Sequence, residues 1–147
     1  MRAWICGMFF LFFAFSSTAA LAADTIGHIQ TIKGSATVIR GNLTLQAATG
    51  TALNSGDLIR TGKPGAVCIV MTDDTTISLG PNSEFSLQDY AFNPKEGKFS
   101  LVARITKGTF VYLSGLIAKL APNAVQLIIP DATIAVRGTK LLVEVEQ

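Results

Sequence analysis

Between Gly56 and Leu87 the chain reads GDLIRTGKPGAVCIVMTDDTTISLGPNSEFSL. Turn-type clusters at Gly56-Asp57, Gly62-Lys63-Pro64-Gly65, Asp73-Asp74 and Gly80-Pro81-Asn82 alternate with short apolar runs. No run is long enough to stand as a helix on its own, and Gly, Pro, Asn and Asp reverse a backbone at little cost. This rhythm writes a compact all-β domain.

The same rhythm continues on both sides. Ile26–Ile32 and Ser35–Arg40 read as two strands split at Lys33-Gly34, and Leu43-Thr44-Leu45 follows the Gly41-Asn42 turn signal. Ala47 to Ser55 is small and polar and reads as a loop. In the central stretch Leu58–Arg60 is a brief strand, and Ala66–Thr72 is a continuous apolar run of the kind found deep in a sandwich. Ile77 and Leu79 face one way with Thr76 and Ser78 opposite, and Phe85 and Leu87 face inward from Glu84, Ser86 and Gln88. Tyr90–Lys98 reads as a polar loop. Phe99–Thr106 and Thr109–Leu113 are strands joined at Lys107-Gly108, and a turn or two of helix fits 114–120, where Leu113, Leu116, Ile117 and Leu120 recur at helical spacing. Val125–Ile129, Ala132–Arg137 and Leu141–Val145 complete a set of about ten short strands. Tight turns favour mostly antiparallel pairing, hence a β-sandwich or jelly-roll-like fold, and a short β-solenoid fits the same spacing.

The first residues belong to a different category. Trp4–Phe15 is almost wholly apolar, follows the single early cation Arg2, and leads into Ala20-Leu21-Ala22. That is the layout of a secretory signal peptide over residues 1–22, with cleavage expected after Ala22 or Ala23. The run is shorter than the ~20 residues of a membrane span. The expected domain is therefore 24–147, exported to the periplasm or secreted, and cleavage leaves no transmembrane helix. Its charge is close to neutral, since the whole chain carries +2 and Arg2 leaves with the leader. Without a basic stripe, nucleic acid is an unsuitable partner. Cys68 is the sole cysteine after the leader, so no internal disulfide can form, and its apolar neighbours predict a buried thiol.

Catalytic and metal-binding patterns are sparse. The one histidine, His28, lies on a presumed strand, and no Gly-x-Ser-x-Gly elbow accompanies it. A hydrolase built on His28 is the reading with least to support it. One His and one Cys cannot supply zinc's usual ligands, and Asp73-Asp74 lacks the alternating oxygen series of a calcium loop. Asp73-Asp74 reads as a solvated hairpin turn. In Gly62-Lys63-Pro64-Gly65, proline follows the lysine, so this is a turn and not a phosphate loop. A glycan-binding face is poorly supplied, since the only Trp is in the leader and only Tyr90 and Tyr112 remain. No cofactor or metal is expected.

Taken together, four strings are similar to the FecR domain, the periplasmic module named for the regulator of iron-dicitrate uptake. They are Gly34–Gly41 (GSATVIRG), Gly56–Gly62 (GDLIRTG), Asp73–Leu87 (DDTTISLGPNSEFSL) and Pro130–Thr139 (PDATIAVRGT). Thr75 departs from the family's usual glycine after the aspartate, which predicts a different hairpin turn. The resemblance implies an all-β, non-enzymatic module. The family's full regulators add a cytoplasmic segment and a membrane helix before it, and here a signal peptide stands instead, so a stand-alone exported form is expected.

The motif residues Gly56, Asp57, Arg60, Thr61, Gly62, Asp74, Gly80, Ser83, Arg137, Gly138 and Thr139 are assigned to shaping the backbone. Glycines suit turns with positive φ, Asp57 can bond its own turn, and Arg60 or Arg137 can pair locally. The expected function is binding or regulation through an envelope protein partner in signalling. Binding of envelope polysaccharide, or a structural role at the cell surface, is the alternative.

Overall fold

The computed structural model describes residues 24–146 and is built mainly of strands. The expected leader, residues 1–22, lies outside the described residues. In chain order the strands are β1 (Thr25–Arg40), β2 (Leu43–Gln46), β3 (Ala52–Asn54), β4 (Leu58–Met71), β5 (Thr76–Leu79), β6 (Glu84–Asn93) and β7 (Lys98–Leu113), then β8 (Val125–Ile129), β9 (Ala132–Ala135) and β10 (Lys140–Val145). One short helix, α1 (Leu116–Leu120), and a 3-10 turn (Pro122–Ala124) link β7 to β8. The expected all-β class is the one the chain adopts.

The ten strands share one sheet. Its spine runs from β1 to β4, then to β5 and β6, then to β7, with each neighbour antiparallel. β5 and β6 lie end to end between β4 and β7 and act as one interrupted strand. β2 and β3 pair with opposite halves of β1, while β8 and β10 pair with opposite halves of β7. β9 is added outside β8. The β7–β8 pair is parallel, and the segment carrying α1 is the crossover such a pair requires.

The long strands bend midway, along a line where glycines meet across the sheet. Gly34 lies opposite Gly65, the Asn82 N–H donates to the Gly62 carbonyl at 3.2 Å, and the Gly80 N–H donates to the Thr109 carbonyl at 2.9 Å. A Cβ on Gly65 would sit 2.6 Å from the Gly62 carbonyl oxygen and 2.7 Å from that of Ser35. On Gly108, whose φ is +94°, it would sit 2.5 Å from the Cα of Ser83. Backbones approach so closely along this crease that a side chain has no room. The pairing register slips beside it, between Gly34 and Ala36 and between Glu84 and Phe85, as extra residues are taken up in bulges.

Bending folds one face of the sheet against itself, which makes the two layers of the expected sandwich. Ile59, Val67, Ile69 and Met71 of β4, Ile77 and Leu79 of β5, and Phe85 and Leu87 of β6 alternate inward and are buried. In β7 the buried set changes parity at the bend, from Leu101, Ala103 and Ile105 to Phe110 and Tyr112. Phe85 and Phe110 stack across the crease with ring centroids 5.4 Å apart. Each such buried side chain contributes roughly 1.5–3 kcal/mol, so the fold is held by this interior.

Several sequence expectations change. Lys33-Gly34, Gly62–Gly65 and Lys107-Gly108 do not separate strands but lie within β1, β4 and β7. Gly80-Pro81-Asn82 interrupts β5 and β6 without reversing the chain, because both pair with β4 in the same sense. These clusters mark where strands bend, and the matching glycines on neighbouring strands decide that they bend rather than turn back. The segment expected to be a loop over Ala47–Ser55 contains β3, and the expected polar loop gives its first four residues to β6 and Lys98 to β7, leaving a hairpin at 94–97. Cys68 is half-buried rather than buried, because the period-two alternation of β4 turns Val67, Ile69 and Met71 inward and Cys68 outward. Helix α1 falls within the expected 114–120 and buries Ile117. The antiparallel spine excludes the solenoid alternative for the described residues.

Candidate functional site

The polar residues of the motif strings gather at three places in the folded sheet. The first is the corner before β4. Asp57 is fully buried, and its carboxylate accepts two bonds from Arg40, Nε at 2.9 Å and Nη2 at 2.7 Å. It also accepts the Asn54 N–H at 2.8 Å, which is the local turn bond expected of it. Arg40 further donates to the Ala52 carbonyl, so one guanidinium joins β1, β3 and the Gly56-Asp57 turn. The bond to Asp57 raises the Arg40 guanidinium further above its ordinary range. Gly56 holds the turn at φ +88°, and its N–H donates to the Leu87 carbonyl.

The second is the crease. The Thr61 hydroxyl donates to the Gly80 carbonyl at 2.6 Å and accepts the Ser83 N–H at 2.8 Å. Ser83 Oγ accepts the Thr109 N–H at 3.1 Å. Both side chains are buried, and they satisfy backbone groups that the bend removes from the ladder. Gly62 belongs here too, since a Cβ on it would collide with the Ser35 side chain. Arg60 lies on the outer face directly opposite Glu84, and its Nε donates to Glu84 at 2.8 Å, a local pairing as expected.

The third lies at the open end, away from the crease. Asp73 and Tyr90 are equally far along the chain from the Gly80–Ser83 interruption, one before it and one after, so folding brings them face to face. Asp73 is fully buried, which overturns its reading as half of a solvated turn; only Asp74, at φ +66°, remains exposed there. The Asp73 carboxylate accepts the Tyr90 hydroxyl at 2.9 Å, the Thr75 hydroxyl at 2.7 Å, the Thr75 N–H at 3.3 Å and the Ile117 N–H at 3.1 Å. Its carbonyl accepts the Leu116 N–H at 2.8 Å. One carboxylate therefore ties together the β4–β5 hairpin, β6 of the opposite layer and the start of α1. Gly115 gives the close approach, since a Cβ there would strike the backbone of Asp73 and Thr75. Burial raises the Tyr90 phenol well above its usual value; its bond to Thr72 works against the rise, and the charge of Asp73 adds to it. Tyr112 is pushed up to about 12 by burial and, secondarily, by Asp73, and its hydroxyl has no hydrogen-bond partner among the described residues.

Three motif residues stand apart. Arg137 is exposed, and among the described residues its side chain has no hydrogen bond or ion pair. Gly138, at φ +121°, has open space around its α-carbon. The Thr139 carbonyl accepts the Ser114 N–H at 3.0 Å, which pins this loop beside α1. Val136, Arg137 and Gly138 line a groove of about 470 Å³ with Ala118, Pro122 and Asn123. His28 is exposed on β1. Among the described residues no three His, Cys, Asp or Glu side chains come together as a metal cluster, and no helix is long and apolar enough to cross a membrane.

Sequence reasoning puts Asp74 among the motif residues and passes over Asp73, Tyr90 and the role of Arg40. The Asp-x-Thr spacing of an Asx turn is the available sign for Asp73. Nothing local marks Tyr90 as its partner.

The model of the family described as FecR protein matches residues 57–147, which covers β4 to β10 and two of the three polar clusters in full. The chain belongs to the FecR family. The strings Gly34–Gly41 and β1 to β3 lie before the matched span, yet they complete the same sheet, and Arg40 supplies the partner of Asp57 in the FecR match. No curated protein matches the chain. A solved structure described as a cell surface anchoring domain is similar at 30% identity, over 42% of this chain and 83% of that one, with a TM-score of 0.41.

Proposed function

We propose that this FecR-family chain is a non-enzymatic periplasmic module that acts in envelope signalling through contact with another protein. Its working unit spans 24–147 and follows a removable leader at 1–22. One observation carries the reading. The polar motif side chains that fix the frame are occupied with internal bonds, whereas Arg137 stands exposed beside a groove. Asp57, Thr61 and Ser83 act as structure, and among the motif residues that stay exposed it is Arg137, on the rim of the groove, that we assign to contact. A guanidinium on an open rim suits a carboxylate-bearing protein surface.

The test is Arg137→Ala in protein expressed from the full chain, followed by capture from the cell envelope and by thermal melting. The exposed site predicts a melting midpoint shifted by no more than about 1–2 °C, with at least one partner lost. A large fall in midpoint would place Arg137 with the frame, and unchanged capture would remove it from the contact.

A glycan is the second reading, supported by a groove of about 500 Å³ in which Tyr90 and Phe92 meet Asp24, Asn93 and Lys98. Retention on purified cell-wall polysaccharide that is lost in Phe92→Ala would favour it.

A further inference from the structure

Strand β10 flanks the spine at an edge of the sheet, and its inner edge pairs with β7 from Lys140↔Leu113 to Val145↔Gly108 without a register slip. No strand pairs with its outer edge among the described residues. It is the longest of the edge strands, exceeding β2, β3 and β9, and it contains no proline or bulge to blunt it. Its outward side chains are Lys140, Leu142 and Glu144. All three are exposed, Leu142 by 63%, and neither charge has an ion-pair partner among the described residues.

We propose that β10 pairs antiparallel with β10 of a second copy of this chain, about a two-fold axis through Leu142, to form a continuous sheet across a symmetric dimer. The register follows from the pleat. A two-fold axis perpendicular to the sheet keeps outer faces on the same side, so outward residues must lie opposite outward residues. Centring on Leu142 sets Lys140 opposite Glu144 of the copy, and Glu144 opposite its Lys140. Leu142 then meets Leu142, and on the inner face Leu141 meets Val143. Centring on Leu141 sets Lys140 against Leu142, and centring on Val143 sets Leu142 against Glu144. Only the Leu142 register satisfies both charges and covers the exposed leucine. The segment Lys140-Leu141-Leu142-Val143-Glu144 is thus complementary to its own reverse. This deepens the reading of the chain as a protein-contact module by naming the partner at one edge, and it can fail independently of that reading.

The test uses sedimentation equilibrium on protein expressed from the full chain. The unaltered protein is expected to dimerise with concentration. Lys140→Glu and Glu144→Lys each place like charges opposite one another twice, which weakens association by about tenfold or more. Mixed in equal amounts, the two variants form a heterodimer in which both carboxylates of one chain face both ammonium groups of the other, so association returns. The double variant restores it within a single chain. Circular dichroism checks that each variant folds, and Lys140→Gln with Glu144→Gln gives the same comparison without charge reversal, with a smaller loss. A protein that remains monomeric at its highest soluble concentration overturns the inference, and so do single variants that associate as before or a mixture that does not recover. A monomer that still captures an envelope protein through Arg137 overturns this dimer and leaves the contact-module reading intact, whereas a dimer that captures nothing does the reverse.

Discussion

Replacing Asp73 with asparagine tests whether the open end of the folded sheet is held by one carboxylate. The substitution keeps the shape and exchanges one oxygen for an NH₂. Each oxygen of Asp73 accepts one hydroxyl and one backbone N–H, Tyr90 and Thr75 N on one side, Thr75 Oγ1 and Ile117 N on the other. The hydroxyls can rotate to accept from an amide, but the backbone donors cannot. Whichever way the amide is turned, its NH₂ faces a buried N–H, and that bond is lost. A hydrogen bond to a charged group contributes ~1.5–3 kcal/mol, and the bonds that survive weaken when the charge is gone. The expected loss is about 3 kcal/mol, or a fall in melting midpoint of roughly 10–15 °C for a domain of this size.

Urea unfolding followed by circular dichroism reads the loss directly, since β content reports both layers. Tyr90→Phe alone should cost about 1–2 kcal/mol, and less in the Asp73→Asn background because the bond the two side chains share is weaker without the charge. A loss below about 1 kcal/mol for Asp73→Asn, or strict additivity of the two substitutions, would refute the latch.

The crease and the tyrosines can be probed in the same way. Gly108→Ala should cost about 3 kcal/mol or more by urea unfolding, because the positive φ is compounded by collision with Ser83, whereas Gly41→Ala, at φ +57° with open space around it, should cost only about 1 kcal/mol. Equal costs would show that backbone conformation alone sets the demand for glycine. Tyr90 and Tyr112 are the only tyrosines in the chain, so phenolate absorbance reports them alone. Their pKa values are raised in the fold above the ordinary value near 10. The folded protein thus keeps protons that the unfolded chain has released, and stability is full below about pH 10 and declines as pH rises from there. Phenolate should appear late, through about pH 12 for Tyr112 and higher for Tyr90, together with loss of β signal. A titration centred near pH 10 in the intact fold would contradict their burial.

Much of this domain is written in local pattern. Alternation alone places Ile77, Leu79, Phe85 and Leu87 inward, and the structure buries all four. The limits of β8 coincide with those expected, because Asn123 and Pro130-Asp131 bracket an apolar run with no competing signal. The FecR strings are likewise legible, since turn residues at fixed offsets are a one-dimensional signature.

What the folded sheet alone decides is the meaning of those turn residues. A glycine or proline tells the chain that it can leave a regular strand at that point, but not by what angle. Gly34, Gly65, Gly80 and Gly108 become one crease only because antiparallel register sets them side by side from strands far apart in sequence. The same holds for the polar clusters. Asp73 and Tyr90 look like residues of two exposed turns until folding at the crease brings the two ends of the sheet together. Burial then makes an unpartnered carboxylate so costly that the pair, with α1 behind it, must close. Side-chain alternation is a property of neighbours along the chain, and crease and latch are properties of neighbours across it.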